Sequence, residues 1–180
     1  MVGYAFDLSE KLGEPVLFRT TTRINHSSGI VTLNPITPPV TKGDFTKDPL
    51  NLVPVPVVAR KLHVRLLDNM AKAQDISEES EYNFTEGDGP WGIICSGVSY
   101  NYVHDMVDEL GIADKTTVLR LGFSYPLPEK RIKELLKRAE KVLIVEEGEP
   151  IMEEAIKALA QEEGLTLPIK GKTEIGRAHG

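Results

Sequence analysis

The sequence predicts an α/β fold: a mostly parallel sheet with flanking helices, preceded by a helix–strand pair and a proline-rich connector. Two observations carry this. From residue 91 onward, short apolar runs alternate with stripes of helical period. Crossover helices of that length join parallel strands of one sheet.

At the start, Ala5, Leu8 and Leu12 share a helical face and Gly13 supplies a stop. Pro15-Val16-Leu17-Phe18 reads as a short buried strand. Residues 20–56 read as loop. Six of the 12 prolines fall between 35 and 56, and each removes a backbone donor and biases its predecessor toward extended forms. A helix follows over 57–72, with Val58, Leu62, Leu66 and Met70 four apart. Residues 75–88 hold six acids and no base and end near Gly87 and Gly89; they read as a solvated surface loop.

The alternation then begins. Ile93-Ile94-Cys95 is a strand, and Val103, Met106, Val107 and Leu110 form a helical stripe that stops at Gly111. Val118–Leu121 is the next strand. Pro128 sits at a first helical position, ahead of a stripe of Ile132, Leu135, Leu136 and Ala139. Val142–Val145 is the third strand. Pro150 opens a helix with Met152, Ile156 and Leu159 on one face, and Leu167–Ile169 reads as a last strand.

Composition excludes several function classes. The chain has 180 residues, with 21 Lys+Arg against 27 Asp+Glu, a net charge of −6. The first ninety residues carry 9 basic and 12 acidic groups and the last ninety 12 and 15, so each half is −3. No basic face is implied, which argues against nucleic-acid binding. Apolar runs such as Val142–Val145 are too short to span a bilayer, and no charged-then-apolar leader is present. One cysteine, Cys95, excludes an internal disulfide, a CxxC pair and a cysteine-ligated iron–sulfur cluster within these residues. A reducing, cytoplasmic setting fits.

Candidate chemistry lies at strand ends, where open parallel sheets bind ligands. After the 93–95 strand, Ser96, Gly97, Ser99, Tyr100 and Asn101 combine small residues with a helix start, a place for an anion. The structural alternative is that Ser99 caps the helix. Gly122–Pro128 pairs Phe123 and Tyr125 in a rigid turn, lining a cleft or simply packing. Glu146, Glu147 and Glu149 offer acid–base or cation chemistry, or favour the next helix start. Gly87-Asp88-Gly89 resembles a Mg-diphosphate motif, but the last asparagine, Asn101, is only 13 residues after Asp88, so it reads as a decoy. His26, His63 and His104 lack metal-ligand spacing, and no metal-binding residue is assigned.

The most unusual stretch is Arg19-Thr20-Thr21-Thr22-Arg23-Ile24-Asn25-His26-Ser27. It places two guanidinium groups, hydroxyls and an imidazole after an apolar run. Arginine recognises carboxylates in bidentate fashion, so a 2-oxo acid or a diphosphate suits Arg19, Thr22, Arg23, His26 and Ser27. An interdomain salt bridge at a Thr-rich strand end is the alternative.

These residues carry a resemblance. PVLFRTTTRINHSSG (15–29), GIICSGVSYNYV (92–103), LRLGFSYPLPEKRI (119–132) and EKVLIVEEGEPIMEEAIKALA (140–160) resemble, in that order, the alpha-subunit family of indolepyruvate:ferredoxin oxidoreductases. The resemblance implies oxidative decarboxylation of indolepyruvate and other aryl-pyruvates to acyl-CoA. It also implies thiamine diphosphate, Mg2+, 4Fe-4S clusters and coenzyme A, a smaller beta subunit, and ferredoxin as electron acceptor. By the same resemblance, residues 1–30 are the C-terminal remnant of a pyrimidine-binding domain. Residues 31–56 are then the linker and 57–172 a transketolase C-terminal-like domain.

Residues 173–180 end in EIGRAHG, a match to the in-frame reading of a sequencing adapter, or else a native tail, and carry no functional expectation. The resemblance implies an internal fragment of a longer subunit, catalytically inert alone and with no catalytic residue of its own. The alternatives are a non-catalytic assembly module, another 2-oxoacid:ferredoxin oxidoreductase, or a small-molecule binder using the Ser96–Asn101 loop.

Overall fold

The computed structural model describes residues 2–32, 35 and 45–175, apart from the side chains of Arg23 and Ile175. The rest of the linker and Gly176–Gly180 lie outside the described residues. The chain divides into two compact units, Met1–Asn69 and Met70–Gly180.

The first unit holds α1 (Val2–Leu12), the single-turn helices α2 (Thr22–Asn25) and α3 (Pro49–Leu52), and the opening of α4 (Pro56–Glu79). Leu8 and Val58 are buried. A helix end leaves carbonyls without intrahelical partners. The Asn69 amide donates to the Leu12 carbonyl at 3.0 Å and to the Glu14 carboxylate at 3.0 Å. The predicted strand at Pro15–Phe18 does not form. Those residues take no regular structure, Leu17 is 95% exposed, and the sheet contains only elements from the second unit. A strand needs a partner ladder, and none among the described residues lies beside this one.

The second unit is built on β1 (Phe84–Glu86), β2 (Trp91–Ser96), β3 (Thr116–Leu121), β4 (Lys141–Val145) and β5 (Ile169–Lys170). Their spatial order is β1-β3-β2-β4-β5. β1 runs antiparallel to β3; the other pairs are parallel. The α/β, mostly parallel prediction therefore holds. α5 (Ser99–Glu109), α6 (Glu129–Arg138), α7 (Ile151–Glu162) and the terminal turn α8 (Lys172–Ile175) complete the unit.

Strand alternation divides the core in two. Ile94, Leu119, Leu121, Val142 and Ile144 pack with buried residues of α6 and α7 on one face. Ile93, Cys95 and Val118 pack with Val103 and Val107 of α5 on the other. Met106 and Leu110, predicted on the same stripe, stay exposed. Pro128 and Pro150 stand one position earlier than predicted, as the residues capping α6 and α7.

Residues 75–88 overturn the solvated-loop expectation. α4 continues through Glu79, β1 follows, and Ser77, Glu78, Ser80 and Asn83 are buried. Their polar groups are used up by backbone. Ser77 Oγ donates to the Pro126 carbonyl at 2.7 Å, and the Gln74 amide to the Leu127 carbonyl at 2.6 Å. Asn83 Oδ1 accepts the Gly122 and Phe123 N–H groups at 2.8 and 3.1 Å. Arg131 donates to the carbonyls of Glu78 and Asn83, both at 2.6 Å. Polar composition here marks satisfied burial.

Candidate functional site

The order β3-β2-β4 makes the chain reverse direction beside β2: the crossover from β2 leads to one neighbour and the crossover from β3 returns to the other. α5 covers one face and α7 the opposite one. A crevice outside the strand carboxyl ends is where such sheets hold ligands. The predicted residues Ser96–Asn101 lie at the carboxyl end of β2 and the start of α5.

Ser96 closes β2, and Gly97 is exposed at φ 58°. Open space surrounds the position a Gly97 Cβ would take, so its positive φ is what favours glycine there. Ser99 is buried in the first turn of α5. It does not cap that helix: Val98 holds the cap position and no side chain bonds there. Tyr100 is half-buried and Asn101 is exposed.

Tyr100 joins a cluster that the sequence reading missed. Its hydroxyl donates to both Glu86 carboxylate oxygens, at 3.0 and 2.9 Å. The Arg120 guanidinium carbon lies 5.2 Å from the Phe84 ring centroid and 5.3 Å from that of Tyr100, within cation–π range. The two rings meet edge to face, with centroids 5.6 Å apart and planes at 77°. Burial, then the Glu86 hydrogen bond, pushes the Tyr100 hydroxyl pKa up. Cys95, paired with Arg120 in register, is fully buried. Burial pushes its thiol up to about 12, with Arg120 opposing. The missed signal was a lone arginine inside the apolar run Val118-Leu119-Arg120-Leu121.

Glu146 is structural. Its carboxylate accepts the N–H groups of Met152 and Glu153 at 2.8 and 2.9 Å, satisfying orphan donors at the start of α7. Glu153 is also buried. It accepts from Lys157 Nζ at 2.7 Å and from the Thr173 N–H at 3.1 Å, and bonds the Thr173 hydroxyl. Burial raises its pKa, but these bonds outweigh burial and the net direction is down.

The RTTTR stretch belongs to the first unit. Arg19 is exposed, Thr22 opens α2, and exposed His26 follows α2 with its N–H bonded to the Thr22 carbonyl at 3.0 Å. Ser27 Oγ donates to the Ile24 carbonyl at 2.7 Å. Thr21 Oγ1 is buried without a partner. The Arg23 side chain lies outside those described. Two surface clefts, of about 400 Å³ beside Lys157 and Leu165 and about 740 Å³ beside Asp75 and Arg138, include none of the predicted site residues.

The described residues do not fit an iron–sulfur cluster or a Mg-diphosphate site. The single cysteine is buried with its thiol held neutral, unsuited to ligate iron. Gly87-Asp88-Gly89 closes onto protein backbone. A Cβ on Gly89 would lie 2.1 Å from the Lys115 carbonyl carbon, and Thr117 Oγ1 donates to the Gly89 carbonyl at 2.7 Å. Among the described residues, no group of three or more His, Cys, Asp or Glu could hold a metal ion. No described helix is long and apolar enough to cross a membrane.

The fold thus defines an α/β domain of the mostly parallel-sheet class. No protein-family model matches the chain, but curated relatives do. The chain is 42% identical over 176 residues to the indolepyruvate oxidoreductase subunit IorA of Methanothermobacter thermautotrophicus, covering 96% of this chain and 28% of that protein. Against IorA of Thermococcus kodakarensis it is 39% identical over 186 residues, 99% of this chain and 29% of that one. Against IorA of Pyrococcus abyssi the figure is 38% over 186 residues, again 99% and 28%. The chain is therefore homologous to a segment of indolepyruvate oxidoreductase subunit IorA, and spans about 28% of the length of the first of these relatives. A 2-oxoglutarate:ferredoxin oxidoreductase structure from Magnetococcus marinus matches 65% of this chain and 20% of its own at 14% identity and TM-score 0.45, a likeness too loose to assign a ligand.

Proposed function

We propose that this chain serves within a subunit that oxidatively decarboxylates indolepyruvate and other aryl-pyruvates to acyl-CoA, with a beta subunit as partner and ferredoxin as electron acceptor. The observation that carries the reading is identity of 38–42% to three IorA subunits along nearly the whole chain. In this reading the 4Fe-4S clusters and Mg2+ are held by residues other than these, since the described residues offer no metal-ligand group and the one thiol is kept neutral, and thiamine diphosphate and coenzyme A complete the enzyme's cofactors. The reaction is cytoplasmic.

Within it, residues 57–172 act as a transketolase C-terminal-like domain and residues 1–30 as the end of a pyrimidine-binding domain. Arg19, Thr22, Arg23, His26 and Ser27 lie near the substrate carboxylate, the diphosphate or a subunit interface. The exposure of Arg19 and His26 supports that role, since their polar groups are open to a partner.

A substrate panel on the complete two-subunit enzyme tests the reading, with viologen reduction as readout and coenzyme A present. Indolepyruvate and phenylpyruvate are expected to outrun pyruvate and 2-oxoglutarate in kcat/KM. Preference for 2-oxoglutarate would overturn the aryl-pyruvate assignment.

A further inference from the structure

Arg120 is a half-buried cation without an anion. Its Nε is buried and has no hydrogen-bond partner, and none of the ion pairs among the described residues includes it. An arginine can donate five hydrogen bonds, and an unmade bond at a buried donor costs more than an average bond contributes. Glu86, a carboxylate of the same cluster, is turned to another donor: both of its oxygens accept from the Tyr100 hydroxyl. Phe84 and Tyr100 face the guanidinium with their rings, and with Nε buried the terminal N–H groups are the ones left for recognition. The position is also apt. Arg120 is next to last in β3, paired with Cys95, which is next to last in β2, shortly before α5 begins.

We infer that Arg120, framed by Phe84 and Tyr100 and offset by Glu86, is an oxyanion-recognition site at the carboxyl end of β3, its terminal N–H groups taking a carboxylate or a phosphate group. Glu86 tunes it. While tied to Tyr100, the carboxylate is withheld from the guanidinium but still repels an incoming anion through space. The site does not depend on the aryl-pyruvate reading, because it rests on this chain's own geometry.

The test follows the Arg120 side-chain Nε–Hε resonance by NMR in the full 180-residue chain, titrated separately with succinate and with inorganic phosphate. The two arms distinguish the carboxylate source from the phosphate source. A saturable shift at Arg120, absent from the exposed Arg138, is expected with one or both anions. Glu86→Gln removes a repelling charge and is expected to tighten binding by about threefold or more, the order a nearby unit charge produces near a surface. Tyr100→Phe keeps a ring over the cation but frees Glu86 to pair with Arg120, so binding weakens. General damage to the fold would weaken both variants. A non-saturating shift with both anions, or a Glu86→Gln variant that binds no better, would overturn the proposal.

Discussion

Glu78 and Lys130 stand 52 positions apart, yet the Glu78 carboxylate accepts the Lys130 backbone N–H at 2.8 Å. Pro128, at the cap position of α6, supplies no side-chain bond, so an acid from α4 takes over that function. An acid there also suits the positive end of the helix. Glu78→Ala is expected to cost about 1–2 kcal/mol, the range for a lost helix cap. Urea unfolding of wild type and variant measures it; a change within error would reduce the contact to a bystander.

Asn83 ties β1 to the turn after β3 through the two N–H groups its side chain accepts. Asn83→Ala leaves the Gly122 donor without that acceptor inside the protein. The expected loss is about 2–3 kcal/mol, from an unsatisfied buried group plus the lost bonds. Asn83→Asp keeps an acceptor at Oδ1 but removes the amide that donates to the Ser77 carbonyl at 2.7 Å, so an intermediate loss is expected. Equal stability of the alanine variant and wild type by urea titration would refute this account of the buried polar network.

The Glu153 carboxyl is held below its ordinary range in the folded chain by Lys157 and Thr173, against the effect of burial. A depressed folded value stabilises the fold above the unfolded pKa, and that stabilisation disappears as pH falls through the folded value. Stability is therefore expected to decline below about pH 4.5, with a shallower decline in Glu153→Gln. Thermal melting from pH 7 to pH 3 reads both slopes; parallel curves would show that Glu153 does not carry the acid limb.

Cys95 carries the opposite sign. Its thiol stays neutral up to about pH 12 when folded, while the unfolded thiol ionises near 9.0. Between those values the unfolded chain binds fewer protons, so stability falls as pH rises through the window. At pH 8 the same shift predicts alkylation about a thousandfold slower in the native chain than in denaturant, since the thiolate is the nucleophile. Native and denatured labelling rates that agree within tenfold would contradict the burial and the shift.

Legibility in the sequence followed periodicity. β2, β3 and β4 are apolar runs and α6 and α7 carry clean stripes, so all were recoverable, and their alternation implied the parallel sheet. The extension of α4 and the strand β1 were hidden because Glu78, Ser77 and Asn83 look solvated in sequence while serving backbone groups far along the chain. Pro15–Phe18 failed in the other direction: an apolar run signals a strand only where a neighbour supplies the ladder. At the site, the loop Ser96–Asn101 was legible from small residues at a strand end. Its partners Phe84, Glu86 and Arg120 were not, because an antiparallel pairing brings them together.

The proposed function makes these residues part of a 2-oxo acid oxidoreductase whose redox chemistry is carried by other residues. Viologen reduction with indolepyruvate, thiamine diphosphate and coenzyme A tests it in one plate. The complete alpha–beta enzyme is expected to reduce the dye, and the purified 180-residue chain to leave it oxidised. Turnover by the isolated chain, or none by the complete enzyme, would contradict the account.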